Sequence, residues 1–276
     1  MALPGRVVRK VRNMGRYRRA ARAARAQTPG LNTRVVRRDD MMARAQPDQY
    51  FVAGHAALEA IERGVTAAGV GAPKTILDLP SGYGRVLRYL MVRWPDADFT
   101  ACELMPGGVE FCAAEFGVRP LVSRDPLWDV DLGGPYDLIW SGSLFTHFDV
   151  PYWTPTLAHL AGALAPGGAL VFSTQGEPAL GFLSGSPDYP VLTRVLPPNY
   201  GLPRDRADAL VKDVQETGFG FAHYAGSEES PYGTSISLPD WVTERLREAG
   251  LDVVLHETGG WGGHQDVWTT VARTTD

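Results

Sequence analysis

Apolar positions along the chain come in short blocks whose spacing switches between strand-like and helix-like. Thr75-Ile76-Leu77-Asp78-Leu79 is a compact run with β-branched residues and predicts a buried strand. Beyond it, Val86, Leu87 and Leu90 recur at helical spacing, and Pro80-Ser81-Gly82-Tyr83-Gly84 lies between as a turn. Further strands are expected at 97–103, at Leu121-Val122-Ser123, at 136–143 and at 169–174. Helical blocks separate them: Val109, Cys112 and Phe116 mark one, closed by Gly117. Trp153, Leu157, Leu160 and Leu164 mark another, with Asp149 and Pro151 suited to its start. Such alternation with short links predicts a doubly wound, mostly parallel α/β sheet.

Outside that run, Leu58, Ile61 and Val65 define an earlier helix over 48–69, preceded by Tyr50 and Phe51, which suit either a ligand cover or the core. Ser237-Leu238-Pro239-Asp240 fits a capping box ahead of a helix through Trp241, Val242 and Leu246. Two closing strands are expected at 251–255 and 266–271. Residues 176–235 form a long insertion after the fifth strand. Pro187, Pro190, Pro197, Pro198 and Pro203 make its first part irregular, 206–216 suits a helix, and 218–224 is aromatic and strand-like. Long segments leaving a strand's carboxyl end build sites or lids; a surface elaboration or dimer contact is the other reading.

Charge divides the 276-residue chain unevenly. Residues 1–38 hold twelve Arg or Lys and no acid, whereas the remainder holds 15 basic and 31 acidic residues. A basic extension over 1–45 and a globular domain over 46–276 follow. The extension suits a patch for a phosphate-bearing or acidic partner, or a solvated, partly disordered arm against an acidic body; the second reading is preferred, and nucleic acid is not an expected partner. The two cysteines cannot build a disulfide framework, which points to a reducing, cytoplasmic setting. No apolar run has membrane-spanning length.

The candidate chemistry starts at the glycine turn. Strand, glycine turn, helix lets a ligand approach backbone N–H groups closely. Glu103 ends the second strand 25 residues after Asp78, where a carboxylate can accept from two vicinal ribose hydroxyls. Leu87 stands where a dinucleotide fingerprint wants its third glycine.

With these features the chain resembles the class I S-adenosylmethionine-dependent methyltransferases, over roughly 50–273. The resemblance rests on ILDLPSGYGR, ACEL, YDLIWSGSLFTHF and LAPGGALVFST. It implies a Rossmann-like, seven-stranded sheet whose last strand runs antiparallel, inserted between its neighbours. It also implies S-adenosyl-L-methionine as cofactor and a small-molecule acceptor, methylated on a hydroxyl or amine, such as a sugar or secondary metabolite. Asp78, Pro80, Ser81, Gly82 and Gly84 would then border the methionine part, and Arg85 would help hold the turn. Pro80 departs from the family's usual glycine and removes one N–H. Glu103 would take the ribose, Leu104 and Met105 would flank adenine, and Ser141 would lie near the methionyl tail. Asp125 suits the adenine amino group or a plain turn before Pro126.

An in-line methyl transfer to a hydroxyl is helped by a base. His147, just past the fourth strand, is the first candidate and equally suits a helix-start residue bonded to backbone; His264 is the second. His264 sits in a glycine-rich connection, 258–265, which suits a substrate wall or a flexible hairpin, with Asp266 orienting a neighbour. No Cys-x-x-Cys or His-rich spacing suggests a metal, and the hydrolase Gly-x-Ser-x-Gly elbow is absent. A nicotinamide-dependent oxidoreductase and a non-catalytic cofactor-binding protein are the alternatives.

Overall fold

The computed structural model describes residues 4–36, 39, 41–42, 47–189, 198–226 and 232–273. A helix α1 (Pro4–Gln27) and a helix α2 (Pro47–Ala67) precede β1 (Thr75–Asp78) and α3 (Leu87–Arg93). Then come β2 (Asp98–Glu103), α4 (Pro106–Phe116), β3 (Arg119–Val122), β4 (Tyr136–Ser141), α5 (Val150–Gly162) and β5 (Leu164–Thr174). The insertion supplies α6 (Glu177–Leu183), α7 (Arg204–Thr217), β6 (Phe219–His223) and β7 (Gly233–Ser237). Helix α8 (Pro239–Glu248) leads to the hairpin of β8 (Leu251–Trp261) and β9 (Gln265–Ala272).

Seven strands form one sheet in the order β3-β2-β1-β4-β5-β9-β8. The pairs from β3 to β5 are parallel, and β9 runs antiparallel to both β5 and β8. This is the expected doubly wound sheet with its antiparallel last strand. Strands β6 and β7 pair apart from it.

The continuous apolar runs follow from burial on both faces. Ile76, Leu138, Val171 and Val267 face one core with α2 and α3. Their neighbours Leu77, Ile139, Leu170, Phe172 and Trp268 face the other, with Trp153, Leu157 and Leu160 of α5 and Val242 and Leu246 of α8. The insertion carries its own small core around Leu210, Val214 and Ile236.

Tyr50 and Phe51 are buried core aromatics, the second of the two readings open to them. Three expectations change. Helix α1 covers Pro4–Gln27 of the basic arm, and Ala20, Ala21 and Ala24 join the core against α2 instead of leaving the arm solvated. The capping box does not form: Ser237 is drawn into β7 opposite Phe219, Leu238 becomes the N-cap, and no side chain caps α8. Strand β8 extends through much of the expected connection, to Trp261. The 45/46 boundary and residues 190–197 of the insertion lie outside the described residues.

Candidate active site

Carboxyl ends of β1, β2 and β4 open on a cavity of about 660 Å³. Its floor is the glycine turn, which is pinned from three sides. Leu79 N–H donates to the Trp140 carbonyl (3.0 Å) and Ser81 N–H to the Cys102 carbonyl (2.9 Å). Gly82 N–H donates to Glu103 Oε2 (2.9 Å). Gly82 and Gly84 have φ of +52° and +71°, a region in which a side chain would be strained. A Cβ on Gly84 would also meet the Phe116 ring at 2.5 Å.

Glu103 has a double duty that its sequence position does not reveal. Besides bracing Gly82, its Oε1 accepts from Leu104 N–H (2.8 Å) and Met105 N–H (3.1 Å). The carboxylate is therefore fixed by three backbone donors at the cavity wall. Leu104 and Met105 are 42% and 50% exposed and form an apolar rim beside it.

Asp78 also borders the cavity. Burial first, and then the Glu103 charge, push its carboxyl up to about 8. Its Oδ2 is buried with no partner among the described residues, as is Ser81 Oγ. Arg85 lies on the same wall with its guanidinium over the Trp261 ring, 5.5 Å from the centroid. Burial lowers its proton affinity, opposed by Tyr50, Asp39 and Asp78.

The turn is held by Arg88, not by Arg85 as expected. Arg88 is buried, and each of its donor groups has a partner. Nε donates to the Gly84 carbonyl (2.7 Å), one terminal nitrogen to the carbonyls of Asn32 (3.0 Å) and Arg34 (2.9 Å), and the other to the Tyr83 carbonyl (3.0 Å) and the Tyr50 hydroxyl (3.3 Å). These contacts sew the segment after α1 onto the turn. Glu115 adds a bond from Asn32 Nδ2 and an ion pair with Arg34, both 2.9 Å. Farther along the same segment, Asp39 and Met41 reach the cavity.

The opposite half of the cavity is built by the end of β4, the start of β9 and the insertion. Ser143 has φ of +61° and is held by Ser173 and Gln265: its N–H donates to Ser173 Oγ (2.8 Å), and Gln265 Nε2 donates to its hydroxyl (2.9 Å). Gln175, Tyr200, Tyr224, Tyr232 and Thr234 line this half. His147 sits in a 3₁₀ turn (Phe145–His147), with Nδ1 2.9 Å from the Gly233 carbonyl and 2.8 Å from the Tyr224 hydroxyl. A carbonyl can only accept, so the Gly233 contact favours the tautomer with its proton on Nδ1 and its lone pair on Nε2, in which the Tyr224 hydroxyl accepts from the same N–H. Burial lowers the pKa of His147.

His264 also borders the cavity, with Nδ1 3.1 Å from the Gly262 carbonyl; burial lowers its pKa. Trp261 packs edge-on against Trp140, 5.3 Å between centroids. Asp266 accepts from Gly259 N–H (2.9 Å) and lies 3.3 Å from His256 Nε2, serving the hairpin's own bonds.

The cavity thus gathers Asp78, Pro80, Ser81, Gly82, Arg85, Glu103, Leu104, Met105, His147 and His264. Three other expected residues do not line it. Gly84 faces the Phe116 ring, Ser141 is wholly buried in β4, and Asp125 lies exposed beside the Tyr152 phenol, which burial and then that carboxylate raise. Ser123, Arg124 and Leu127 line the cavity in the neighbourhood where Asp125 was expected. Among the described residues no cluster of His, Cys, Asp or Glu suits a metal ion, and no helix is long and apolar enough to cross a membrane.

A family model described as a methyltransferase domain matches residues 76–168, the stretch that carries the glycine turn, Glu103 and His147. A malonyl-[acyl-carrier protein] O-methyltransferase of Paenibacillus sp. (strain JDR-2) is 30% identical over 213 residues, 75% of this chain and 64% of that protein. The biotin biosynthesis bifunctional protein BioCD of Bordetella avium is 28% identical over 243 residues, 83% of this chain and half of that protein. The chain therefore spans less than two thirds of the length of either curated relative. Among solved structures, an S-adenosylmethionine-dependent methyltransferase from Clostridium acetobutylicum shares the fold, with a TM-score of 0.56 at 11% identity, covering 85% of this chain and 96% of that one. Sheet order, glycine turn and the matched stretch agree: the chain belongs to the class I S-adenosylmethionine-dependent methyltransferases.

Proposed function

We propose that the protein moves the methyl group of S-adenosylmethionine onto a hydroxyl oxygen of a small organic acceptor, such as a sugar or other secondary metabolite. The observation that carries this reading is His147. Its Nδ1 lies against the Gly233 carbonyl, which favours a free lone pair on Nε2, and the residue lines a cavity that also holds the glycine turn and Glu103. A neutral amine needs no such base to attack; a hydroxyl gains from one. The curated malonyl relative is, by its name, also an O-methyltransferase.

The residues present fit the cofactor, a cationic nucleoside. Asp78 Oδ2 and Ser81 Oγ are buried and unpartnered among the described residues, and Asp39, Asp78 and Glu103 bring three carboxyl groups to a lining that also holds Arg85 and Arg124. Glu103 would hold the ribose, Leu104 and Met105 the base, and Asp78 with the turn the methionine part. Bound there, the cofactor supplies an activated methyl group. The protein's share is to align the acceptor, exclude water and take its proton on His147 Nε2.

Two measurements test the reading. Calorimetry should show binding of S-adenosylmethionine and of its demethylated product, with none for nicotinamide dinucleotides; the reverse preference would mean an oxidoreductase. Because a bound cation favours ionised Asp78, affinity should rise with pH by up to about tenfold per unit until near 8 and then level off. A flat profile would remove Asp78 from the cofactor site.

Glu103→Gln keeps the side chain's shape and removes its charge. S-adenosylmethionine binding should weaken by about 1–3 kcal/mol, the cost of losing charge-assisted bonds. Unchanged affinity would separate Glu103 from the ribose and leave it as a brace for Gly82.

A further inference from the structure

The acceptor half of the cavity combines three features that together narrow the substrate. First, its walls are aromatic. Tyr200, Tyr224 and Tyr232 come from the insertion, and Phe148 follows the 3₁₀ turn. Such walls suit a flat ring more than a flexible chain.

Second, the polar groups among them are neutral. Gln175 is buried, and its orientation is set by chemistry: the Thr146 carbonyl, 3.3 Å from the amide nitrogen, can only accept. The amide oxygen is left without a partner among the described residues, and so is the Tyr200 hydroxyl. A buried amide oxygen is satisfied by a donor, and a hydroxyl-bearing ligand brings one. Thr146 and Thr234 add two further hydroxyl-bearing side chains to the lining.

Third, burial lowers the basicity of His147, and the contact of its Nδ1 with the Gly233 carbonyl offsets this only in part. Aliphatic hydroxyls are acids of nearly the strength of water, pKa about 15.7. A phenol, like the tyrosine side chain, ionises near about 10. A proton acceptor of lowered basicity is matched far better to the second.

Resting on the methyltransferase reading, we propose that the acceptor is a neutral ring compound with a phenol-like hydroxyl, lodged among Tyr200, Tyr224 and Tyr232 and methylated on that oxygen. The acceptor oxygen forms the new C–O bond with its lone pair as the methyl carbon's bond to sulfur breaks. That electron pair stays on sulfur, which ends as a neutral thioether, and the hydroxyl proton ends on His147 Nε2. The acceptor leaves as a methyl ether.

The test incubates the full chain and S-adenosylmethionine with four acceptor sets: one- to three-ring phenols, aliphatic alcohols and sugars, primary amines, and carboxylates including a malonyl thioester. Product mass reports the methylated compound, and calorimetry on protein loaded with S-adenosylhomocysteine reports acceptor binding. The expected result is a methyl ether from at least one phenol, at a kcat/KM ten or more times that of any aliphatic alcohol. Gln175→Leu should raise KM for that phenol tenfold or more with kcat little changed. Transfer to a carboxylate, amine or aliphatic hydroxyl with every phenol inert overturns the phenol assignment and leaves the methyltransferase reading intact. So does cofactor binding with no phenol bound or methylated. Failure to bind S-adenosylmethionine or S-adenosylhomocysteine overturns the reading beneath it.

Discussion

His147→Ala should lower kcat by about 10²–10⁴-fold, the usual worth of a positioned general base, while S-adenosylmethionine affinity stays within twofold. The asymmetry follows from geometry. His147 is held by Gly233 and Tyr224 of the insertion and shares no hydrogen bond with the glycine turn or Glu103 among the described residues. The pH profile gives a second reading of the same prediction. Burial lowers the pKa of His147, so its neutral form persists below the ordinary imidazole value of about 6.5. At saturating S-adenosylmethionine, kcat should therefore hold as pH falls through 6.5 and decline only beyond it. In the alanine variant that acid limb should vanish. A loss of tenfold or less, with the limb intact, would pass the role of base to His264.

Arg88→Ala should be the most destabilising single change near the site. The guanidinium serves four backbone carbonyls and one phenol without touching a carboxylate. Its removal strands those acceptors in a buried setting, at about 1–3 kcal/mol each where water cannot follow. A total above about 4 kcal/mol places the variant among the most damaging substitutions, and a chain of this size should then lose roughly 10 °C in Tm. Arg88→Lys should recover little, because an ammonium has three donors and no planar fork. Thermal unfolding checks the stability, and calorimetry the expected parallel loss of cofactor binding as the turn loosens. A Tm within about 2 °C of the parent would mean that the turn is held by its backbone bonds alone.

These two residues show what was visible in the sequence and what was not. His147 stood out because it follows a fourth-strand block at the edge where ligands bind. Glu103 was visible through its spacing from the glycine turn. Arg88 was hidden because its partners are carbonyls, which every residue has, and because an arginine four residues past a glycine looks like a solvated helix face. The strands were legible because they are buried on both sides and so are apolar throughout. The packing of α1 was hidden for the opposite reason: arginines dominate its composition, and the thin stripe of Ala20, Ala21 and Ala24 that seats it carries little hydrophobic signal. Asp125 followed the strand-end rule and still missed, because β3 ends at Val122 and the chain then turns toward Tyr152. The tyrosines of the acceptor half carried no spacing signal, since they converge from separate parts of a long insertion.

The place of β9 bears on the order in which the molecule can be completed. It lies between β5 and β8, yet its residues are the last of the sheet to leave the ribosome. Until 265–272 emerge, β5 offers a bare row of N–H and C=O groups to any passing strand. Translation paused before that point should yield a chain that aggregates and binds no nucleoside, and chaperone demand should fall once the hairpin slots home.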